Sequence, residues 1–84
     1  MEQYLVIARS VTHAQRLERL LARAGIRAQI YHAPLELNGG RGCAYAVQFR
    51  CRDLRSVLHM IYGADLGPVQ VYSCGEGQYR EVQV

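Results

Sequence analysis

Residues 3–25 read QYLVIARSVTHAQRLERLLARAG. Gln3 to Ala8 is short and rich in residues that suit a pleated, half-buried surface, so it reads as a strand. Ser10 or Thr12 can cap a helix by accepting a backbone N–H bond. From Thr12 to Ala24 the apolar residues Ala14, Leu17, Leu20, Leu21 and Ala24 recur at helical spacing, with Arg16, Glu18, Arg19 and Arg23 between them. Gly25 then stops the helix, because glycine enters the left-handed backbone of a helix end without steric cost.

Working outward, Arg27 to His32 alternates and predicts a second strand, which Pro34 ends. Asn38-Gly39-Gly40-Arg41-Gly42 is a glycine-rich loop, and Cys43 to Phe49 a third strand. Asp53 can cap a second helix striped by Leu54, Val57, Leu58 and Ile61, with Gly63 and Pro68 bracketing the next turn. Val69 to Ser73 is a fourth strand. The tail from Glu76 to Val84 alternates weakly at Tyr79, Val82 and Val84, which allows an extra C-terminal edge strand. The order is the βαββαβ pattern of a ferredoxin-like α+β two-layer sandwich. Right-handed crossovers give an antiparallel sheet of order 4-1-3-2 with both helices on one face. There is no linker, repeat or low-complexity stretch, so residues 1–84 are expected to form a single domain.

Composition narrows the function classes. Half of the 84 residues are apolar and a fifth are charged, which is a globular balance. The net charge of +3 comes from ten arginines and no lysine; it permits nucleic-acid binding without demanding it. The longest apolar run, Tyr4 to Ala8, is far too short to cross a bilayer. Met1 leads into polar Glu2-Gln3, unlike an export signal, so a cytoplasmic location is expected. Three cysteines, an odd number, argue against a disulfide framework.

The expected topology places the cysteines. The hairpin from second to third strand sits at the end of the sheet where the first strand finishes and the first helix begins. Cys43 is therefore expected near Arg9, Ser10, Thr12 and His13. A helix start carries partial positive charge and unpaired N–H groups, which stabilise a thiolate, and an inward-pointing Arg41 would add to this. Cys51 and Cys74 are expected at the opposite end. Eight residues of strand put Cys43 and Cys51 about 26 Å apart, so they cannot share a metal. Cys51 and Cys74 end strands that the first strand separates by roughly 9–10 Å, too far for a disulfide. No CxxC occurs, and neither a structural zinc nor any other cofactor is expected. The plain alternative is that Cys43 is a small buried hydrophobe. His13 reads as a solvated first-turn residue, and His32 and His59 have no partner at meaningful spacing. The six tyrosines read as packing.

The segments Arg9-Ser10-Val11-Thr12-His13-Ala14-Gln15-Arg16, Ala24-Gly25-Ile26, Pro34, Gly42-Cys43-Ala44-Tyr45-Ala46-Val47 and Val71-Tyr72 resemble the selenium/sulfur carrier protein-like family along nearly the whole chain. The resemblance maps the family's motif cysteine onto Cys43, with Gly42 before it. It implies a carrier that holds sulfur or selenium on that cysteine as a persulfide or selenosulfide, between donor and acceptor proteins. The family's pattern has glycine after the cysteine, where this chain has Ala44, and arginine after the proline, where it has Leu35. Such a carrier needs an exposed thiolate with a pKa near ambient pH, and no base, metal or deep pocket. The residues offer no constellation for an enzyme with turnover.

Two rivals remain. An RNA-recognition domain shares the element order. Arg41-Gly42-Cys43-Ala44-Tyr45-Ala46-Val47-Gln48 matches its third-strand signature at Arg, Gly, Ala and Tyr but lacks the first and last aromatics. Parity also puts Cys43, Tyr45, Val47 and Phe49 on one face, the bulkier one, so Tyr45 is expected to face the helices and not a base. The other rival is an interaction domain. With Leu5, Ile7, Val47, Phe49, Val69 and Val71 toward the helices, the open face would carry Tyr4, Val6, Ala8, Tyr31, Ala44, Ala46 and Tyr72, and pack in a homodimer or against a partner.

Overall fold

The computed structural model describes residues 2–33, 45–75 and 77–82. Along them run β1 (Glu2–Ala8), α1 (Val11–Arg23), β2 (Ala28–His32), β3 (Tyr45–Cys51), α2 (Leu54–Gly63), β4 (Gln70–Gly75) and β5 (Gln78–Val82). The class is α+β, as the periodicities indicate.

Each helix starts and stops where its residues dictate. Ser10 is extended, and its Oγ accepts from the His13 N–H at 3.1 Å, which caps α1. Gly25, at φ 79°, ends it: the Ile26 N–H donates to Leu21 O at 2.9 Å and the Gly25 N–H to Ala22 O at 3.0 Å. This double closure satisfies carbonyls left over at a helix end. Asp53 caps α2 by accepting from the Ser56 N–H. Gly63 is only the last helical residue. The left-handed position falls to Asp65, at φ 61°, with the Leu66 N–H donating to Ile61 O at 3.0 Å.

The strands form one antiparallel sheet of order β2-β3-β1-β4-β5. Read from the other end this is 5-4-1-3-2, so the expected four-stranded order 4-1-3-2 is corrected to five strands by the addition of β5 beside strand four. Residues 78–82 pair along β4 from Gly75↔Gln78 to Val71↔Val82, so β4 is interior and β5 takes the edge. The tail's alternation was a true strand signal, because a hairpin partner needs only period two and a turn, here with Gly77 at φ 75°.

Both helices pack on one face. The core joins Ala14, Leu17 and Leu21 of α1 and Val57 and Ile61 of α2 to Tyr4, Val6, Ala8, Val47, Phe49 and Val71 of the sheet. For β3 this is the expected parity. For β1 the expectation is inverted: Tyr4, Val6 and Ala8 face the helices, while Leu5 and Ile7 face outward with Ala46, Tyr72 and Cys74. The register explains it. Directly opposed residues of antiparallel strands share a face, and Val6 lies opposite both Val47 and Val71, Tyr4 opposite Phe49. Five consecutive apolar residues in β1 leave its own alternation mute, so the neighbours decide. The homodimer expectation thus loses Tyr4, Val6 and Ala8 from its open face. Gln3, Leu5 and Ile7 stand there instead.

Candidate functional site

The chain reaches the end of the sheet three times in one row. Ala8, the last residue of β1, lies opposite Tyr45, the first of β3, and Tyr45 lies opposite His32, the last of β2. Helix α1 starts from the same end, three residues after Ala8. Of the expected site residues, Arg9, Ser10, Thr12 and His13 are brought together here at the opening of α1. Arg41, Gly42 and Cys43 lie outside the described residues.

The opening of α1 is held by its own side chains. Ser10 spends its hydroxyl oxygen on the cap. His13 is buried, 8 % exposed, and is not the solvated first-turn residue expected. The Arg9 N–H donates to its Nδ1 at 3.2 Å, and its Nε2 lies 2.7 Å from the Leu66 carbonyl oxygen. A carbonyl only accepts and an amide N–H only donates, so the tautomer with hydrogen on Nε2 satisfies both ends. His13 thereby ties the β1–α1 turn to the segment after α2, 53 residues away in sequence. With both ring nitrogens committed to backbone, it has none to lend to a thiol. Arg9 and Thr12 are exposed. No acidic residue sits in the first turn of α1, so the positive end of the helix dipole is not offset by a carboxylate of its own.

One neighbour escaped sequence reasoning. His32 stacks on Tyr45, ring centroids 5.1 Å apart and tilted by 30°. The pair is cross-strand, and only the β2–β3 register could have revealed it.

The two described cysteines sit elsewhere. Cys51 ends β3 on the helix face and is 7 % exposed, within the core. Cys74 is half-buried on the open face, and burial pushes its thiol above the ordinary 9.0. They lie on opposite faces with β1 between their strands, which agrees with the expectation that they do not pair. Asp53 has its carboxyl held below the usual 3.8 by hydrogen bonds from the Ser56 side chain and backbone, a capping effect. Among the described residues, no three His, Cys, Asp or Glu side chains gather as a metal site would require. No helix among them is long and apolar enough to cross a membrane.

The family model described as "Putative Se/S carrier protein-like" matches residues 3–73, from the start of β1 into β4, the Gly42-Cys43 segment included. No curated protein matches the chain.

Proposed function

The chain belongs to the Se/S carrier protein-like family, and from that premise we propose that Cys43 carries sulfur or selenium between partner proteins. The Cys43 thiolate attacks the outer sulfur of a donor's persulfide. The donor's S–S bond breaks, the donor leaves as a thiolate, and Cys43 holds the sulfur as its own persulfide. An acceptor thiolate then takes the outer sulfur by the same exchange, and Cys43 is returned. No external oxidant or reductant enters, since the sulfane sulfur only changes partners.

The observation that carries this reading is the family match across the segment that holds Cys43, joined to elimination. Cys51 is in the core, and Cys74 is held in its thiol form by burial. Neither suits a thiolate nucleophile. A single residue, Ala44, joins Cys43 to Tyr45, and Tyr45 lies opposite Ala8, just before the cap of α1. A helix start with no acidic residue in its own first turn supports thiolate formation.

The test is mass spectrometry after incubation with a persulfide donor. The wild type and Cys74→Ser should each gain the mass of one sulfur atom, and Cys43→Ser should gain none. Sulfur found on Cys51 or Cys74, or none on the wild type, would remove the proposal. The RNA reading finds less support. The aromatic residues of β1 and β3 (Tyr4, Tyr45 and Phe49) all lie on the helix side, and their open-face positions hold Gln3, Leu5, Ile7, Ala46, Gln48 and Arg50, which offer no ring for base stacking.

A further inference from the structure

Half of the arginines gather at the pole of the molecule away from the opening of α1. Arg23 lies in the last turn of α1, Arg27 just before β2, Arg50 and Arg52 at the end of β3, and Arg55 in the first turn of α2. All five are exposed. Between them runs an open cleft of about 890 Å³, lined by Arg27, Arg50 and Arg52 and by the half-buried apolar side chains of Ile26 and Met60. Asp53 is the one carboxylate in its lining among the described residues, and its oxygens are engaged by the Ser56 N–H and hydroxyl.

One guanidinium is already fixed in place. With the Gln3 amide oriented so that its oxygen faces Arg50, that oxygen accepts from Nε at 3.0 Å and from Nη2 at 2.8 Å. The Gln48 amide, 2.7 Å from the other end of the Gln3 amide, turns with it, so that its oxygen accepts from the Gln3 NH2. Two donors of the Arg50 fork are thus used to orient it, and the side chain remains exposed. An oriented guanidinium loses less freedom when it binds an anion.

We propose that this cleft docks an acidic segment of a partner protein, carboxylates on the arginines and an apolar side chain on Ile26 and Met60. Charge complementarity chooses the sign of the ligand. The layout chooses a segment over a small anion. Arg50 stands on the open face of the sheet while Phe49 and Val57 belong to the helix face, so the charges follow an edge and do not converge on one point. Nucleic acid is disfavoured because the one aromatic residue in the lining, Phe49, is 2 % exposed and offers no stacking surface. The docking does not depend on Cys43, and it lies at the pole far from the opening of α1, so a bound partner leaves that end of the molecule open.

The experiment is fluorescence anisotropy with a short labelled peptide of alternating Glu and Leu. Its Gln-for-Glu counterpart and a single-stranded oligouridine serve as comparison probes. The acidic peptide should bind the wild type and Cys43→Ser alike, and weaken with salt. The triple variant Arg27→Gln, Arg50→Gln, Arg52→Gln should bind about tenfold or more weakly. The triple variant Arg16→Gln, Arg19→Gln, Arg80→Gln removes the same charge from exposed sites elsewhere and should keep its affinity within about twofold. Amide shifts in wild-type protein on peptide addition should centre on Ile26, Arg52 and Met60, which tests the cleft without any variant. The proposal is overturned by absence of binding, by equal loss in both triple variants, by equal affinity for the Gln peptide, by shifts centred elsewhere, or by tighter binding of the oligouridine through the same arginines. A persulfide test that fails would leave this result untouched, and the reverse holds as well.

Discussion

His13 shows how much one side chain can hold. Its ring bridges the Arg9 amide and the Leu66 carbonyl from within the protein. Replacing it with alanine strands a donor and an acceptor where water has little access, a cost of about 2–4 kcal/mol. A chain of this length has only about 4–12 kcal/mol in all. We expect His13→Ala to lower the thermal midpoint by about 10–20 °C. A loss below about 1 kcal/mol in chemical denaturation would mean that the latch does not bear on stability. Cys74 makes the opposite point about a group with no such bonds to define it. Burial raises its pKa above 9.0. Well below pH 9.0 it is a thiol in both folded and unfolded chains, so it adds no pH dependence there. As pH rises past that value the unfolded chain ionises first and the folded state loses stability. In alkylation kinetics at neutral pH, Cys74 should react more slowly than an unfolded-chain cysteine, and Cys43 faster. Equal rates for the two would count against this division of roles.

At the scale of elements, β1 is the member whose orientation matters most. It sits between β3 and β4, and its run of five apolar residues can face either way. Val6 is wholly buried between Val47 and Val71, whereas Ile7 is half-buried on the face without helices. A guanidinium at position 6 would be forced among hydrocarbon, at a cost on the order of the whole stability. At position 7 it can extend into water, at about 1 kcal/mol. Val6→Arg should therefore abolish amide dispersion in NMR spectra, and Ile7→Arg should keep it. The reverse outcome would restore the parity first expected from the sequence. The helices are less ambiguous, because caps and stops are local: Ser10, Asp53 and Gly25 each act on atoms within four residues.

On the scale of the whole molecule, the two ends of the sheet differ. One end gathers the opening of α1, the start of β3 and the end of β2, and it is where the chain enters and leaves the segment that includes Cys43. The other gathers five arginines around an edge cleft. The proposed carrier would gain from such a division, since a partner docked at the arginine pole leaves the other end of the sheet open. Strand topology makes the division without any special residue. Helix α1 runs back across the sheet, so its N-terminus and its last-turn Arg23 must lie at opposite ends. The sheet also acquires an interior β4, because β5 covers an edge that would otherwise offer unpaired backbone groups.

Sequence alone determined the elements, their caps, the α+β class, the helix-facing parity of β3 and the family. These rest on signals carried within a few residues: period, turn chemistry and short motifs. Tertiary structure alone decided which side of β1 is inside, that β4 is interior, that His13 is buried and bonded to Leu66, that His32 meets Tyr45, and that arginines distant in sequence line one cleft. Each of these depends on which segments, distant in the chain, are packed against one another, and that is a property of the folded molecule that no local stretch encodes.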